Sequence, residues 1–426
     1  MTKHPSTPEL AREPATLAER GRRLLPVLGS LQGYIGLVLV IVLGVTTQSE
    51  IFLTEENLTD AVGAFASRGI LAVGVTLVIL TAGIDLSVGS VMGIASMAAA
   101  MMVFDHDMPV WQIVPLCMVL GALFGFLNGV GTAWLRIQSF VMTLAMLSIA
   151  RGLDKQLSNN EAQSTQPRVG DRLTENAESF QLLGTPGHNV LTALLPGGVY
   201  FPVLAFVGVC VLFHWVLSRT TFGRHIYAVG GNPTAARLSG INVSFVVIAV
   251  FTLSGMLAGF AGPIDAAYSA SADPLAGTSY ELDAIAAAVI GGASLAGGRG
   301  TIVGTFIGAL ILTLLDNVLG LNDVSSNWQL VIKGVIVVVA VVLQRPDLLR
   351  RPSRRAPPED RTTAPGGSPE PGGGGTGGGS DGEPPSAPEG DAAPRTPHQT
   401  PRREPAAPAP AEPAERPDHT KENEAP

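Results

Sequence analysis

Few residues in this chain have types and spacings suited to chemistry, and those that do sit inside or beside long apolar runs. Asp316 and Lys333 are opposite charges set within the runs 299–320 and 327–344, which are joined by a short connection and must be antiparallel neighbours. A lone charge in hydrocarbon costs a few kcal/mol, so the two are expected to form a structural ion pair, with snorkelling by Lys333 as the other outlet. A proton relay would need a second acid in range. Asp85, in GIDLSVGS (83–90), precedes Ser87 at the inner end of a run. A carboxylate there either caps the following helix, where backbone N–H groups and the dipole favour an anion, or shapes a gate. Glu281 and Asp283 open another run beside Asp265 and Asp273, as an outer interfacial cap or as a face that meets a delivered ligand.

Glycine interrupts the apolar runs in two places. Gly83, Gly89 and Gly93 punctuate the first; Gly291, Gly292, Gly297, Gly298, Gly300 and Gly304 punctuate the second. At membrane depth such breaks are tolerated where backbone lines a cavity or is buried in protein, so Gly83, Asp85, Ser87, Gly89, Gly291, Gly292, Gly297 and Gly298 are candidates for a translocation path or gate. Tight helix packing through small residues is the competing reading. Residues 219–243, RTTFGRHIYAVGGNPTAARLSGINV, differ in kind: a polar, cation-bearing loop between two long apolar runs. Within it Asn232 can cap a helix that Pro233 begins, Thr234 to Leu238 continue, and Gly240 stops. A short surface helix with exposed alanines, Ala235 and Ala236, and one cation, Arg237, suits docking into a groove on another protein.

Other chemistries lack their residues. No GxxxxGK[ST] occurs, so this chain cannot cradle ATP by the P-loop route. Ser254 before Gly255, and His214, lie outside any GxSxG or HExxH context, which leaves no catalytic residues assigned. Cys117 and Cys210 fall in apolar runs, where neither a disulfide nor a metal site is suggested. No basic stripe marks a nucleic-acid surface, and the net charge of -8 mixes acidic loops with a polar tail.

The elements that must position these residues are membrane spans, in an all-α polytopic protein of about ten transmembrane helices. Apolar runs lie at 28–46, 61–82, 87–104, 110–133, 138–156, 199–217, 244–264, 299–320 and 327–344, with a shorter piece at 283–297 read as crossing. Segments 1–27 and 346–426 flank the membrane domain 28–345. The tail has no Val, Ile, Leu, Met, Phe, Tyr or Trp after Leu349, so it is expected to stay disordered and dispensable. Lys and Arg accumulate on one side if both termini are cytoplasmic, through Arg20, Arg22, Arg23, Arg136, Arg219, Arg224, Arg237 and Arg299. Arg68, Arg151 and Lys155 are exceptions. Trp111, Trp134, Trp215 and Trp328 fall at run ends, as an interfacial belt would place them.

Residues 219–243, ELDAIAAAVIGGASLAGGRGTIVG (281–304) and GIDLSVGS together resemble permease subunits of bacterial ABC importers of the ribose, xylose and galactose class, over roughly Phe52 to Leu343. The resemblance implies a multi-pass permease of the cytoplasmic membrane that passes a pentose or hexose. It implies a separate ABC ATPase carrying ATP and Mg, an extracytoplasmic sugar-binding protein, and a like permease as partner in a homodimer or heterodimer, with no cofactor on this chain. It also implies that Arg219, Phe222, Gly223, Gly230, Gly231, Asn232, Pro233, Ala235, Ala236, Arg237 and Gly240 couple to the ATPase. An ion-coupled secondary transporter of a small polar solute is the alternative, since broken helices fit it too. The long outer loop 157–198 departs from the family pattern and is either a binding-protein contact or an insertion.

Overall fold

Apolar stretches long enough to satisfy their own backbone as helices dominate this computed structural model, which describes residues 33–165, 174–184 and 201–343. The expected N-terminal segment 1–27 and tail 346–426 lie outside the described residues. Helices α1 (Gly33–Thr47), α2 (Ser49–Phe52), α3 (Glu55–Leu80), α4 (Val88–Phe104), α5 (Val110–Ala133) and α6 (Ser139–Leu157) come first. Then follow α7 (Glu175–Gln181), α8 (Phe201–Arg219), α9 (Thr221–Gly231), α10 (Pro233–Leu238), α11 (Val243–Tyr268), α12 (Tyr280–Ile290), α13 (Ile302–Leu321) and α14 (Ser326–Leu343). Among the described residues the strands are one antiparallel ribbon, Gln163–Ser164 against Ser271–Ala272. The protein is all-helical and polytopic. Among the described residues five helices are long and apolar enough to cross a membrane: α3, α5, α8, α11 and α13.

α3 and α11 form the centre. Residues from Ile70 to Leu80 of α3 are almost wholly buried, and α11 packs against α3, α4 and α5. The α5–α11 seam is made by small residues: a Cβ on Gly121 or Gly125 would strike the carbonyls of Gly255 and Phe251, and one on Gly259 would strike that of Cys117. Backbones in direct contact replace the missing hydrophobic drive between helices in lipid. The outer faces carry exposed Leu, Val, Ile and Phe on α1, α5, α6, α8 and α14, and the four tryptophans at helix ends are 57% to 72% exposed. Lipid is the solvent that suits such faces.

The run 283–297 is helical only as α12, an eleven-residue helix of ~16 Å, about half a hydrocarbon core. It forms an antiparallel pair with α13, with Ala287 against Gly308 and Gly291 against Gly304. The described residues of the segment 157–198 pack into the fold: Thr165 donates its N–H to Ala270 and its hydroxyl to Ala266, and Gly184 packs on Ala267 and Tyr268, so they brace the C-terminal end of α11.

Candidate functional site

Thr220 accepts the N–H of Gly223 and starts α9, with Gly223, Ile226, Val229 and Gly230 forming its buried face. Residues 219–243 are therefore not one loop but two short helices, and the period of those buried positions was the signal for the first. Asn232 accepts N–H groups from Thr234 and Ala235, both at 3.0 Å, Pro233 occupies the first turn of α10, and Gly240 leaves it at φ +84°. Arg219, Gly231, Asn232, Pro233, Ala235 and Arg237 are exposed and Phe222 is half-buried. Ala236 is not an exposed alanine: it is 4% exposed, because its face of α10 packs inward. Leu238, 86% exposed, is the apolar residue that α10 presents outward.

The end of α9 is wedged into both glycine-rich breaks. Gly298 donates its N–H to the Leu80 carbonyl at 3.0 Å, at the last turn of α3. A Cβ on Gly230 would overlap that same carbonyl and approach the Gly298 nitrogen to 2.7 Å. Tyr227 donates its hydroxyl to Gly300 at 2.9 Å. Partial burial pushes the Tyr227 phenol above its ordinary value, so it stays a donor. Gly297, Gly298 and Gly300 have φ of +83°, +70° and +148°, conformations that need glycine. Gly292 shares this trait at φ +91° and faces open space, whereas Gly291 packs on Gly304.

From Leu80 the chain turns through Ala82 and Gly83 and then runs back beside α3 without helical bonds. Asp85 is therefore not at the inner end of a span. It reaches Ser254, which packs on Gly74, about 9 Å along α3 from Leu80. There it is 1% exposed, and its carboxylate accepts the Ser87 N–H (3.0 Å), the Ser87 hydroxyl (2.7 Å) and the Ser254 hydroxyl (3.1 Å). Asn128 donates to the Ser87 oxygen at 2.8 Å, which ties α5 to the same knot. α4 starts just beyond, and Gly89 in its first turn lies against the Gly277 carbonyl and the Glu281 carboxylate. α4 and α12 thus begin close to one another in the interior.

Lys333 Nζ lies 2.9 Å from Asp316 Oδ2 and 3.3 Å from Asp283 Oδ1, and Arg68 lies 3.5 Å and 3.7 Å from the same two aspartates. Tyr280 stacks under the Arg68 guanidinium at 4.4 Å. Arg68 and Asp283 escaped the sequence reading of this cluster because their elements are far apart in the chain. Arg151 is also held inside the protein, by Asp154 at 3.8 Å and by the carbonyls of Pro274 and Ala276 at 2.9 and 2.6 Å. Two of the three exceptions to the charge asymmetry therefore have internal partners. Among the described residues no group of His, Cys, Asp and Glu could hold a metal ion.

Residues 57–341 match the family model described as branched-chain amino acid transport system / permease component. The chain is 44% identical over 305 residues to a ribose import permease protein of Escherichia coli (strain K12), covering 71% of this chain and 90% of that one. It is 41% identical over 320 residues to a ribose import permease protein of Bacillus subtilis (strain 168), covering 75% and 94%. A xylose transport system permease protein of Haemophilus influenzae is 34% identical over 361 residues, covering 74% and 96%. No solved structure matches the chain.

Proposed function

The chain belongs to the family of transport-system permease components, and on that premise we propose that it is the membrane subunit of an ATP-driven importer that passes a pentose or hexose inward. The ribose and xylose permeases it resembles along most of their length support a sugar over the amino acids in the family's description. The same relatives weigh against an ion-coupled carrier. In this reading about ten spans put both termini in the cytoplasm, with the half-length α12 completing one crossing together with the non-helical chain at its ends. A separate ATPase supplies ATP and Mg, an extracytoplasmic binding protein delivers the sugar, and a like permease completes the pair.

One observation carries the coupling part of the reading: α9 and α10 form a capped, exposed unit whose inner end is wedged against Leu80, Gly298 and Gly300. Force applied to the exposed face, through Arg237, Leu238 and Ala235, reaches both glycine-rich breaks without passing through a flexible loop. Residues 83–89 and 291–298 then form the moving backbone of the gate.

The test uses two positions on the exposed face. A Cβ on Gly231 meets nothing within 4 Å, and Ala235 is exposed, so bulky side chains fit the isolated chain. Gly231→Trp and Ala235→Trp are expected to insert normally and to lose sugar uptake by about tenfold or more while the ATPase still hydrolyses, as a loss of ~1.4 kcal/mol or more at a docking surface implies. Undiminished uptake in both variants would sink the coupling assignment.

A further inference from the structure

A cavity of about 270 Å³ opens between the ends of α3, α11 and α13, with Asp60 and Tyr268 at its rim and Arg68 and Asp316 at its floor. We infer that this cavity is the outward-facing solute site of the permease, and that it takes a neutral, polyhydroxylated molecule of monosaccharide size. The inference rests on the import reading above and adds to it where the sugar is held.

Size and charge select the ligand class. At about 270 Å³ the cavity lies at the small end of ligand pockets, ~300–1,000 Å³, which suits one monosaccharide. Its floor belongs to a cluster in which Arg68 and Lys333 face Asp283 and Asp316, so the formal charges of the floor cancel and the exposed Asp60 carboxylate at the rim is the one charge in excess. An anion would meet no excess of opposite charge there, and a cation only that one solvated carboxylate. Hydroxyl groups are different, because each can donate to a carboxylate and accept from a guanidinium at once. Asn317 and Thr313 add polar groups, while Ala61, Ala64 and Phe65 give the wall an apolar face for C–H groups.

Two further features fit a passage rather than a trap. Asp316 Oδ1 and Arg68 Nε make no hydrogen bond among the described residues, which leaves capacity at the floor for a ligand after a small rotation. The other groups of the cluster are already paired with each other, so a solute must compete with Lys333 for Asp316 and binds weakly, as release toward the next station requires. Tyr280, stacked on Arg68, closes the floor from below, and α12 behind it leads to Gly291 at the inner break. The cavity is thus the outer half of a path whose inner half is shut in this conformation.

Ala64 lines the cavity and is exposed, while both native cysteines are buried, so a single new thiol can report on it. Ala64→Cys is introduced into the full chain, assembled with its ATPase and binding protein in oriented vesicles, and treated from outside with a charged, impermeant methanethiosulfonate. Labelling above the wild-type blank is expected. D-ribose or D-xylose at twice its Kd should slow it about threefold by mass action, and isosmotic glycine betaine should not. Ala64→Trp fills the cavity one turn of α3 from Arg68 and should cut sugar uptake about tenfold or more while ATP hydrolysis continues. Absent labelling, labelling indifferent to sugar, or wild-type uptake by Ala64→Trp overturns the site while leaving the import reading intact. A wild-type assembly that moves no pentose or hexose removes the import reading, and the site falls with it. If Ala64→Trp fails to fold, the labelling result decides alone.

Discussion

Adding one methyl group at Gly230 tests whether α9 transmits force, because its neighbour Gly231 provides an internal control. Gly230 is buried in helical backbone, so alanine brings no conformational strain and gains up to ~1 kcal/mol of helix propensity. Against that, the new Cβ overlaps the Leu80 carbonyl and crowds the Gly298 nitrogen and the Leu80 carbonyl carbon at 2.7 and 2.9 Å. All three atoms are backbone and cannot rotate away. Overpacking of this kind costs ~1–3 kcal/mol. If α9 retreats instead, the Gly298–Leu80 bond of 3.0 Å and the Tyr227–Gly300 bond of 2.9 Å stretch, at ~1 kcal/mol each. The net, either cost less the propensity gain, is ~0–3 kcal/mol against the state seen here, a shift of up to roughly 150-fold in the balance between gate conformations. The assay is sugar uptake per ATP hydrolysed in vesicles, beside the amount of inserted, monodisperse protein. Gly230→Ala should lose about tenfold or more of coupled uptake, and Gly231→Ala, whose Cβ meets nothing, should keep it. Equal uptake by the two variants would refute the transmission argument.

The ion cluster and the Asp85 knot give two more tests. Lys333→Met leaves Asp283 and Asp316 facing Arg68 alone, and removing one partner of a buried ionic group costs ~3–5 kcal/mol. Adding Asp316→Leu restores neutrality, so the double variant should recover much of the Tm that the single variant loses in detergent; an unchanged Tm in Lys333→Met would show that the cluster is not structural. Asp85→Asn keeps an acceptor for Ser87 and can turn its amide toward Ser254, whereas Asp85→Leu strands the Ser87 N–H and two hydroxyls at ~1–3 kcal/mol per group. The leucine variant should therefore melt well below the asparagine variant, and coincident melting curves would contradict the hydrogen-bond account.

What the sequence made legible was what is encoded locally. Asn232, Pro233 and Gly240 spell a capped helix within nine residues, and that helix forms because the cap, the first-turn proline and the left-handed stop each act on the adjacent backbone. The positions of long apolar runs were legible for the same reason: each satisfies its own backbone. Distant pairings left no local trace. Asp316 and Lys333 could be paired because a short connection forces their helices together, but Arg68 meets them only through the packing of α3 against α12 and α13. Asp85 was misplaced because an apolar run does not reveal where helix gives way to extended chain. Ala236 was misassigned because a six-residue helix has too few turns for its buried face to show as a period.

The geometry also fixes where movement can occur. Helices resist bending because each residue is held by bonds to its own chain, so relative motion concentrates where those bonds are missing. Near the C-terminal end of α3 two such stretches meet, 81–87 and 291–301, joined by the Gly298–Leu80 hydrogen bond. The first leads to Asp85, whose carboxylate binds Ser254 of α11 and, through the Ser87 hydroxyl, is linked to Asn128 of α5 at the start of α4. The second leads back through α12 to Tyr280, Glu281 and Asp283, which touch Arg68 at the cavity floor and Gly89 at the start of α4. A displacement of α9 therefore acts on both routes at one joint, and both routes end at the same interior place, where α4 and α12 begin. In the path proposed above, a solute held over Tyr280 would be released where α4 and α12 begin, at the backbone contact between Gly89 and Gly277. The absence of side chains at those two glycines makes the contact close when shut, as in the α5–α11 seam, and free of interlocking when it separates, which suits a gate.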